Sequence, residues 1–374
     1  MRFSRRAGEL RAAGHDLVNL TAGEPDFDSP RAVTEAARRA LEEGKTRYTA
    51  AAGLPQLRTA IAEKYAARYG SPWQLPHTIL TVGAKASLFQ LFQVLVDEGD
   101  EVVLHTPTWV SFEEQIRFAG AEPVGVSTRV EDGFRIEAEP LIAAITDRTR
   151  AVLVNSPGNP TGGLVEAEDL RRIAEACAER DAILVCDETY DRFLYEGAEH
   201  ASGGALAAEY PDHVVVISSF SKTYAMTGWR LGFTLGPQPL IAKMIDVQSH
   251  ATSNPTTFAM FGGLAALENA EPDVRRMLEA FTGRRRIAVE ALEALPGVEC
   301  RPPMGAFYVF PRLEAAGGFG GSLPLAEHLL ENAGLALVPG LAFGADEHLR
   351  LSFACSDDVL REGIGRLGDA LAKL

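Results

Sequence analysis

Along the middle of the chain, apolar residues fall into short β-branched runs separated by stretches with helical spacing. The pattern predicts a strand over 78–82 and a helix over 85–96, then a strand over 101–104 and a helix over 110–119. A strand over 151–154, a helix over 166–179 and strands over 182–186 and 214–218 follow. Continuous apolar runs alternating with 3.6-residue periods favour a largely parallel sheet covered by helices, an α/β architecture. In open sheets of this kind ligands collect beyond the carboxyl ends of the strands.

After about residue 270 the pattern changes. Residues 272–294 predict one long charged helix, followed by strands over 307–310, 335–338 and 349–353 and helices over 325–332 and 357–374. This reads as a second, smaller α+β layer. Gly317, Gly318, Gly320 and Gly321 predict a flexible surface loop.

Composition narrows the function. The 374 residues are 46% hydrophobic with a net charge of −15, which suits a globular protein and argues against a general binder of nucleic acid or anionic membrane. Any site for anions must then gather its positive charge locally. Cys177, Cys186, Cys300 and Cys355 lack metal-ligand spacing and read as free thiols in a reducing compartment. Met1 to Arg6 is charged and leads into a polar helix-like segment; no apolar signal region or membrane-length run follows, so the expected location is the cytoplasm.

The richest chemistry lies just past the run 214–218. Lys222 is preceded by Ser219 and Ser221 and followed by Arg230. A lysine at the end of a buried strand is poorly hydrated, so its amine is more easily neutral and nucleophilic. Such an amine can form a Schiff base with an aldehyde cofactor, and Ser219, Ser221 and Arg230 can hold a phosphate on it. A lone Ser-x-Ser-Lys reads equally as a polar surface loop.

The rest of the chain supplies the context. Leu20-Thr21-Ala22-Gly23-Glu24-Pro25-Asp26, Ser156-Pro157-Gly158-Asn159-Pro160-Thr161-Gly162, Asp187-Glu188-Thr189-Tyr190, the lysine segment and Arg350-Leu351-Ser352 occur in that order. Together they resemble the class I aminotransferases of the pyridoxal-phosphate fold-type I superfamily, most of all the bacterial aspartate/prephenate subgroup. The resemblance implies a large domain over 31–269 with a mostly parallel seven-stranded sheet. It also implies a discontinuous small domain from 1–30 and 270–374, a pyridoxal 5′-phosphate cofactor and a homodimer with shared sites.

Carried over residue by residue, the resemblance assigns Lys222 to the Schiff base and the proton shuttle. It assigns Asp187 to the pyridine nitrogen, and Asn159 and Tyr190 to the phenolic oxygen. Gly83, Ala84 and Lys85, at a strand-to-helix turn, would cradle the phosphate with Ser219, Ser221 and Arg230. Trp109 would stack on the ring, and Tyr48 would reach the phosphate of the neighbouring subunit. Arg350, a cation within an apolar strand, would take the substrate α-carboxylate, with the backbone at Gly23 close by. By the same resemblance Lys85 would bind the distal carboxylate of an acidic substrate, and 250–255, where other aspartate aminotransferases place an arginine for that task, holds none. Taken singly, Asp187 also reads as a helix cap, Asn159 as a turn residue and Trp109 as a core residue.

The expected reaction is amino transfer from an L-amino acid, aspartate or glutamate foremost and prephenate as a further partner, to a 2-oxo acid in a ping-pong cycle. Aromatic or alanine-type transfer, β-C–S lysis and a non-enzymatic ligand-sensing domain are the alternatives. Three departures stand out from the pattern. By comparison with the family, about twenty residues that relatives carry before the equivalent of Ser4-Arg5-Arg6 are absent from this sequence, which puts both dicarboxylate recognition and lid closure in question. Thr189 replaces an apolar residue, and Gly158 replaces an asparagine.

Overall fold

The computed structural model of the protein describes residues 6, 8, 9, 14 and 16–374. Of the charged start, Met1 to Ser4 and Arg5 lie outside these residues, as does part of the predicted 1–30 segment. In chain order the strands are β1 (Val18–Asn19), β2 (Thr78–Thr81), β3 (Glu101–Thr106), β4 (Glu122–Ser127), β5 (Thr149–Asn155), β6 (Ile183–Asp187), β7 (Val214–Ser219) and β8 (Gly232–Leu235). They continue with β9 (Val298–Glu299), β10 (Tyr308–Val309), β11 (Arg312–Leu313), β12 (Leu335–Ala336), β13 (Val338–Pro339) and β14 (Leu349–Ser352).

A 7-stranded sheet runs β2-β8-β7-β6-β5-β3-β4. The pairs β7–β6, β6–β5, β5–β3 and β3–β4 are parallel, while β8 is antiparallel to both β2 and β7. The mostly parallel α/β sheet read from the sequence is thus present. Its period-2 alternation feeds two cores. Val103, Val152, Val154, Leu184, Cys186, Val214 and Val216 enter one, and Val102, Leu104, Ala151, Leu153, Val185, Val215 and Ile217 enter the other. Burial on both faces explains why these strands read as unbroken apolar runs.

Strands β4 and β8 escaped the sequence pattern. β4 is the half-exposed edge strand, Glu-Pro-Val-Gly-Val-Ser, and proline is tolerated there because an edge strand leaves some N–H groups unpaired. β8 is only 4 residues long and opens with a glycine. The Gly317 to Gly321 segment is a correction: it begins with a short helix, Ala315–Phe319. Ala316 is fully buried, the Gly321 N–H bonds its carbonyl at 2.8 Å, and Gly320 closes the turn in the left-handed region at φ 78°. A buried anchor and a glycine cap define the segment, where composition alone suggested freedom.

In the remaining layer β14 lies between β10 and β13, and β1 pairs parallel with β12, Val18 beside Leu335. The start of the described chain therefore packs with its last quarter. Phe281, on the helix Glu271–Glu293, meets Phe27, Phe193, Phe307 and Phe353 with ring centroids 5.7, 5.1, 5.4 and 6.3 Å away. That cluster joins segments from five parts of the chain. No helix among the described residues is long and apolar enough to cross a membrane.

Phe281 has no exposed surface, so Phe281→Ala should lower the unfolding free energy by about 3–5 kcal/mol. Chemical denaturation checks this; a loss below about 1 kcal/mol would mean that the cluster does not hold these segments together.

Candidate active site

The carboxyl ends of β5, β6 and β7 converge on a cavity of about 330 Å³. Gly23, Ala84, Lys85, Trp109, Asn159, Asp187, Tyr190, Ser219, Ser221, Lys222, Arg230 and Arg350 line it. Gly83 stands directly behind Arg230. Tyr48 does not line the cavity of its own chain and is 85% exposed.

Lys222 is carried by the loop after β7. Phe220 and Tyr224 stack at 5.6 Å and are buried together with Met226, which pins the loop from below. Ser29 accepts from the Trp229 indole at 2.9 Å and donates to the Ala225 carbonyl at 2.7 Å, so the early chain clasps the same loop. The half-buried Lys222 amine donates to the Gly23 carbonyl. Burial pushes this amine down to about 8; Arg230 and Arg350 add to the fall, while Glu24 and Asp187 oppose it.

Asp187 terminates β6 with 4% of its surface exposed. Burial raises its carboxyl to about 6, against the opposing Thr189 N–H, which donates to Oδ1 at 3.0 Å. The strand end is fixed from β5: the Asn155 side-chain amide and the Ser156 N–H both donate to the Asp187 carbonyl at 3.2 Å. Asn155 Oδ1 also accepts the Asn159 N–H at 3.0 Å. Its own N–H donates at 3.1 Å to Nε2 of His105, whose buried imidazole is pushed down to about 4 and is therefore neutral.

Arg350 is central in β14 and buried. It donates to Asn159 Oδ1 and to the Thr21 carbonyl, both at 3.0 Å, and its Nε has no partner among the described residues. A buried guanidinium with one donor free is prepared for an anion. On the opposite side, Gly83 has φ +85° and a Cβ there would lie 2.6 Å from Arg230 Nη2. A Cβ on Gly232 would lie 2.6 Å from the Ala84 nitrogen. The two glycines thus let Arg230 and the opening turn of the helix Ala84–Leu95 approach each other, where the first helical amides lack intrahelical acceptors. Guanidinium, free amides and the hydroxyls of Ser219 and Ser221 make an anion cradle. Lys85 Nζ sits 4.7 Å over the Trp109 ring, and burial followed by Arg230 lowers its amine.

Sequence reasoning missed Phe112, Asn155 and Tyr308 in the lining. Asn155 and Tyr308 lie in strands that read as core, and Phe112 lies on a helix; only the folded sheet shows that these side chains face the cavity. Thr189, noted only as a departure, also lines it, with Oγ1 lacking a hydrogen-bond partner among the described residues.

Residues 15–367 match the model of the family "Aminotransferase class I and II". The chain is 44% identical to an aspartate aminotransferase of Geobacillus stearothermophilus, over 98% of this chain and 94% of the relative. It is 46% identical to an aspartate/prephenate aminotransferase of Thermus thermophilus, over the same shares of each chain, 98% and 94%. The solved aspartate aminotransferase from Thermus thermophilus with maleate superposes with a TM-score of 0.93 at 45% identity, covering 98% of this chain and 95% of that one.

In the ligand-free protein, the rate of Lys222 labelling by an amine-selective reagent should rise through a midpoint near about 8. The amine is protonated and inert below that pH and free above it. Mass spectrometry of the labelled peptide reads the titration; a midpoint near the ordinary lysine value of about 10.4 would contradict the desolvated environment.

Proposed function

The chain belongs to the class I and II aminotransferases, and from that premise we propose that it moves the amino group of L-aspartate or L-glutamate to a 2-oxo acid with pyridoxal 5′-phosphate. The observation that carries this reading is the meeting of three ionisable groups in one cavity: the buried Asp187 carboxyl, the Lys222 amine lowered by burial, and the Arg350 guanidinium, whose Nε has no partner among the described residues.

The residues fit the cofactor. Arg230, Ser219, Ser221 and the amides at Ala84 and Lys85 suit a phosphate, and the glycines at 83 and 232 keep that cradle open. Asp187 suits a protonated ring nitrogen, whose positive charge would hold its carboxyl in the ionised form. Asn159 and Tyr190 suit a phenolic oxygen, and Trp109 suits the ring face. When bound, pyridoxal 5′-phosphate supplies an aldehyde for the amino group and a ring that accepts the electron pair left by the departing α-proton.

The chain's own residues do the rest. Arg350 Nε, without a partner among the described residues, takes one oxygen of the substrate α-carboxylate and fixes the Cα–H direction. Lys222 Nζ, neutral over a useful range because its value is about 8, takes the α-proton and, as general acid, would return it to the carbon that was the cofactor's aldehyde. Water then cleaves the donor's carbon–nitrogen double bond, so the donor leaves as a 2-oxo acid and its nitrogen stays behind; a second 2-oxo acid takes that amino group by the reverse steps, releasing water, which gives ping-pong kinetics.

Acidic substrates are favoured by Lys85, the cation facing the cavity beside Trp109. Two relatives' names support that choice, as does the dicarboxylate maleate in the solved neighbour's title. Prephenate also carries a carboxylate remote from its keto acid and suits the same lysine. Tyr48, exposed and away from its own cavity, serves a phosphate across a homodimer interface in this reading. The reading also divides the chain into a cofactor-holding segment, 31–269, and a discontinuous one, 1–30 with 270–374, that brings Gly23 and Arg350; the β1–β12 pairing supports that division.

Lys85→Ala should raise the KM for L-aspartate roughly tenfold or more while leaving L-alanine nearly unchanged, because a charge-assisted hydrogen bond contributes about 1.5–3 kcal/mol. An equal change for both substrates removes Lys85 from the distal-carboxylate role. Lys222→Ala should keep cofactor affinity measurable and lose turnover by roughly 10²–10⁴-fold or more; near-normal turnover would end the proton-transfer assignment.

A further inference from the structure

Tyr308 is the largest lining residue without a role so far. It sits on β10 opposite Ser352 of β14 and is 1% exposed. Arg350 lies two residues along β14, on the same face. Its guanidinium carbon is 4.4 Å from the Tyr308 ring centroid. The Tyr308 hydroxyl is 2.9 Å from that of Tyr190, which follows β6, and a Cβ added at Gly23 would lie 3.5 Å from it. One side chain therefore touches the proposed α-carboxylate arginine, the proposed phenolic-oxygen tyrosine and the loop whose carbonyl receives Lys222.

Its backbone is held firmly. The Met304 and Gly305 N–H groups donate to the Gly162 carbonyl at 3.1 and 3.0 Å, and the Ala306 N–H donates to the Phe193 carbonyl at 3.0 Å. The Tyr195 hydroxyl donates to the Ala306 carbonyl. Ala306 keeps φ +60°, a conformation an alanine adopts only where its surroundings enforce it. Gly305 has room for no side chain, since a Cβ would lie 2.5 Å from Pro157. The turn 157–162 that presents Asn159 and the strand that presents Tyr308 are thus one rigid unit.

We propose that Tyr308 is a positioning residue with two separable contacts: its hydroxyl donates to Tyr190 and frees the Tyr190 proton for the cofactor's phenolic oxygen, and its ring face holds Arg350 in line for the α-carboxylate. At 2.9 Å either hydroxyl can donate, and the direction proposed is the one that leaves a proton for a bound ligand. Tyr190 has one proton; if it were given to Tyr308, none would remain for a ligand oxygen. Arg350, facing the Tyr308 ring, favours the arrangement in which the Tyr308 oxygen stays near the cation and its proton points away. Burial raises both phenols above the ordinary value and Arg350 opposes that rise. Their mutual hydrogen bond raises Tyr190 and lowers Tyr308, the sense of a Tyr190 donor where no ligand oxygen takes its proton, so the proposed direction is that of the ligand-bound site. Arg350 on β14 and Asp187 on β6 are charged groups that act on Tyr190, and Lys222 and Arg230 line the same cavity. A Tyr190 hydroxyl that accepts from Tyr308 is in turn a stronger donor, because linked hydrogen bonds polarise one another.

This inference rests on the proposed cofactor, and its test separates the two. Wild-type protein is loaded with pyridoxal 5′-phosphate and its visible absorption is titrated with pH, beside Tyr308→Phe and Tyr308→Leu. Absence of a pH-dependent visible band in the wild type would overturn the cofactor reading itself. Given that band, Tyr308→Phe, which keeps the ring, should move its midpoint upward by roughly 0.3–1 pH unit, since donors to the phenolic oxygen favour the deprotonated form. Its KM for L-aspartate should stay within about twofold, since the ring face against Arg350 is retained. Tyr308→Leu should show the same shift in midpoint and also raise that KM roughly 3- to 30-fold, because the ring face is gone. An unmoved midpoint in Tyr308→Phe overturns the hydroxyl role, and identical KM values for the two variants overturn the ring role. The Phe variant is nearly isosteric, so its result stands even if the Leu variant folds poorly.

Discussion

A carboxylate held out of water with no ion pair among the described residues is the constraint on which this structure turns. Asp187 is almost fully buried at the end of a strand that is itself buried on both faces, and its carboxyl is driven up to about 6. Such a group is costly unless something positive meets it. The β5 strand end keeps it in place through Asn155 and Ser156, which bind its carbonyl. Their neighbour Asn159 ties the same corner to Arg350. The arrangement stores an unmet charge in a rigid setting, which suits a ligand whose ring nitrogen carries a proton.

The cavity is also where distant parts of the chain meet. Lys222 reaches Gly23, Arg350 reaches Asn159, and Tyr308 reaches Tyr190, each contact linking residues from before 31 or after 270 to the central sheet. A ligand that replaces the Lys222–Gly23 and Arg350–Asn159 contacts would loosen or redraw the connection between those parts. Binding energy and the relative placement of the two layers are in that way coupled through a few hydrogen bonds.

Much of this was readable in the sequence because burial on both faces leaves an unmistakable mark. β5, β6 and β7 are continuous apolar runs, and the polar residues at their ends, Asn155, Asp187 and Ser219, fall where a parallel sheet binds ligands. Lys222 and Arg350 stood out as cations next to or inside apolar runs. Other parts left weaker marks. β4 is a half-exposed edge with a proline and a glycine, so its alternation is broken. Tyr308 sits in Phe-Tyr-Val-Phe, where an aromatic strand residue looks like core, and its hydroxyl gains meaning only from Tyr190, 118 positions away. The glycines near 317 suggested freedom because composition cannot show that Ala316 is buried beneath them.

The most direct test of the central claim is a single turnover of half the reaction. Protein loaded with pyridoxal 5′-phosphate is mixed with excess L-aspartate, no 2-oxo acid is added, and the absorption spectrum is followed in time. The account predicts that the visible band of the aldehyde-derived form gives way to the near-ultraviolet band of the aminated cofactor, with one equivalent of oxaloacetate released per site. A loaded protein whose spectrum aspartate leaves unchanged, with no oxaloacetate formed, would contradict it.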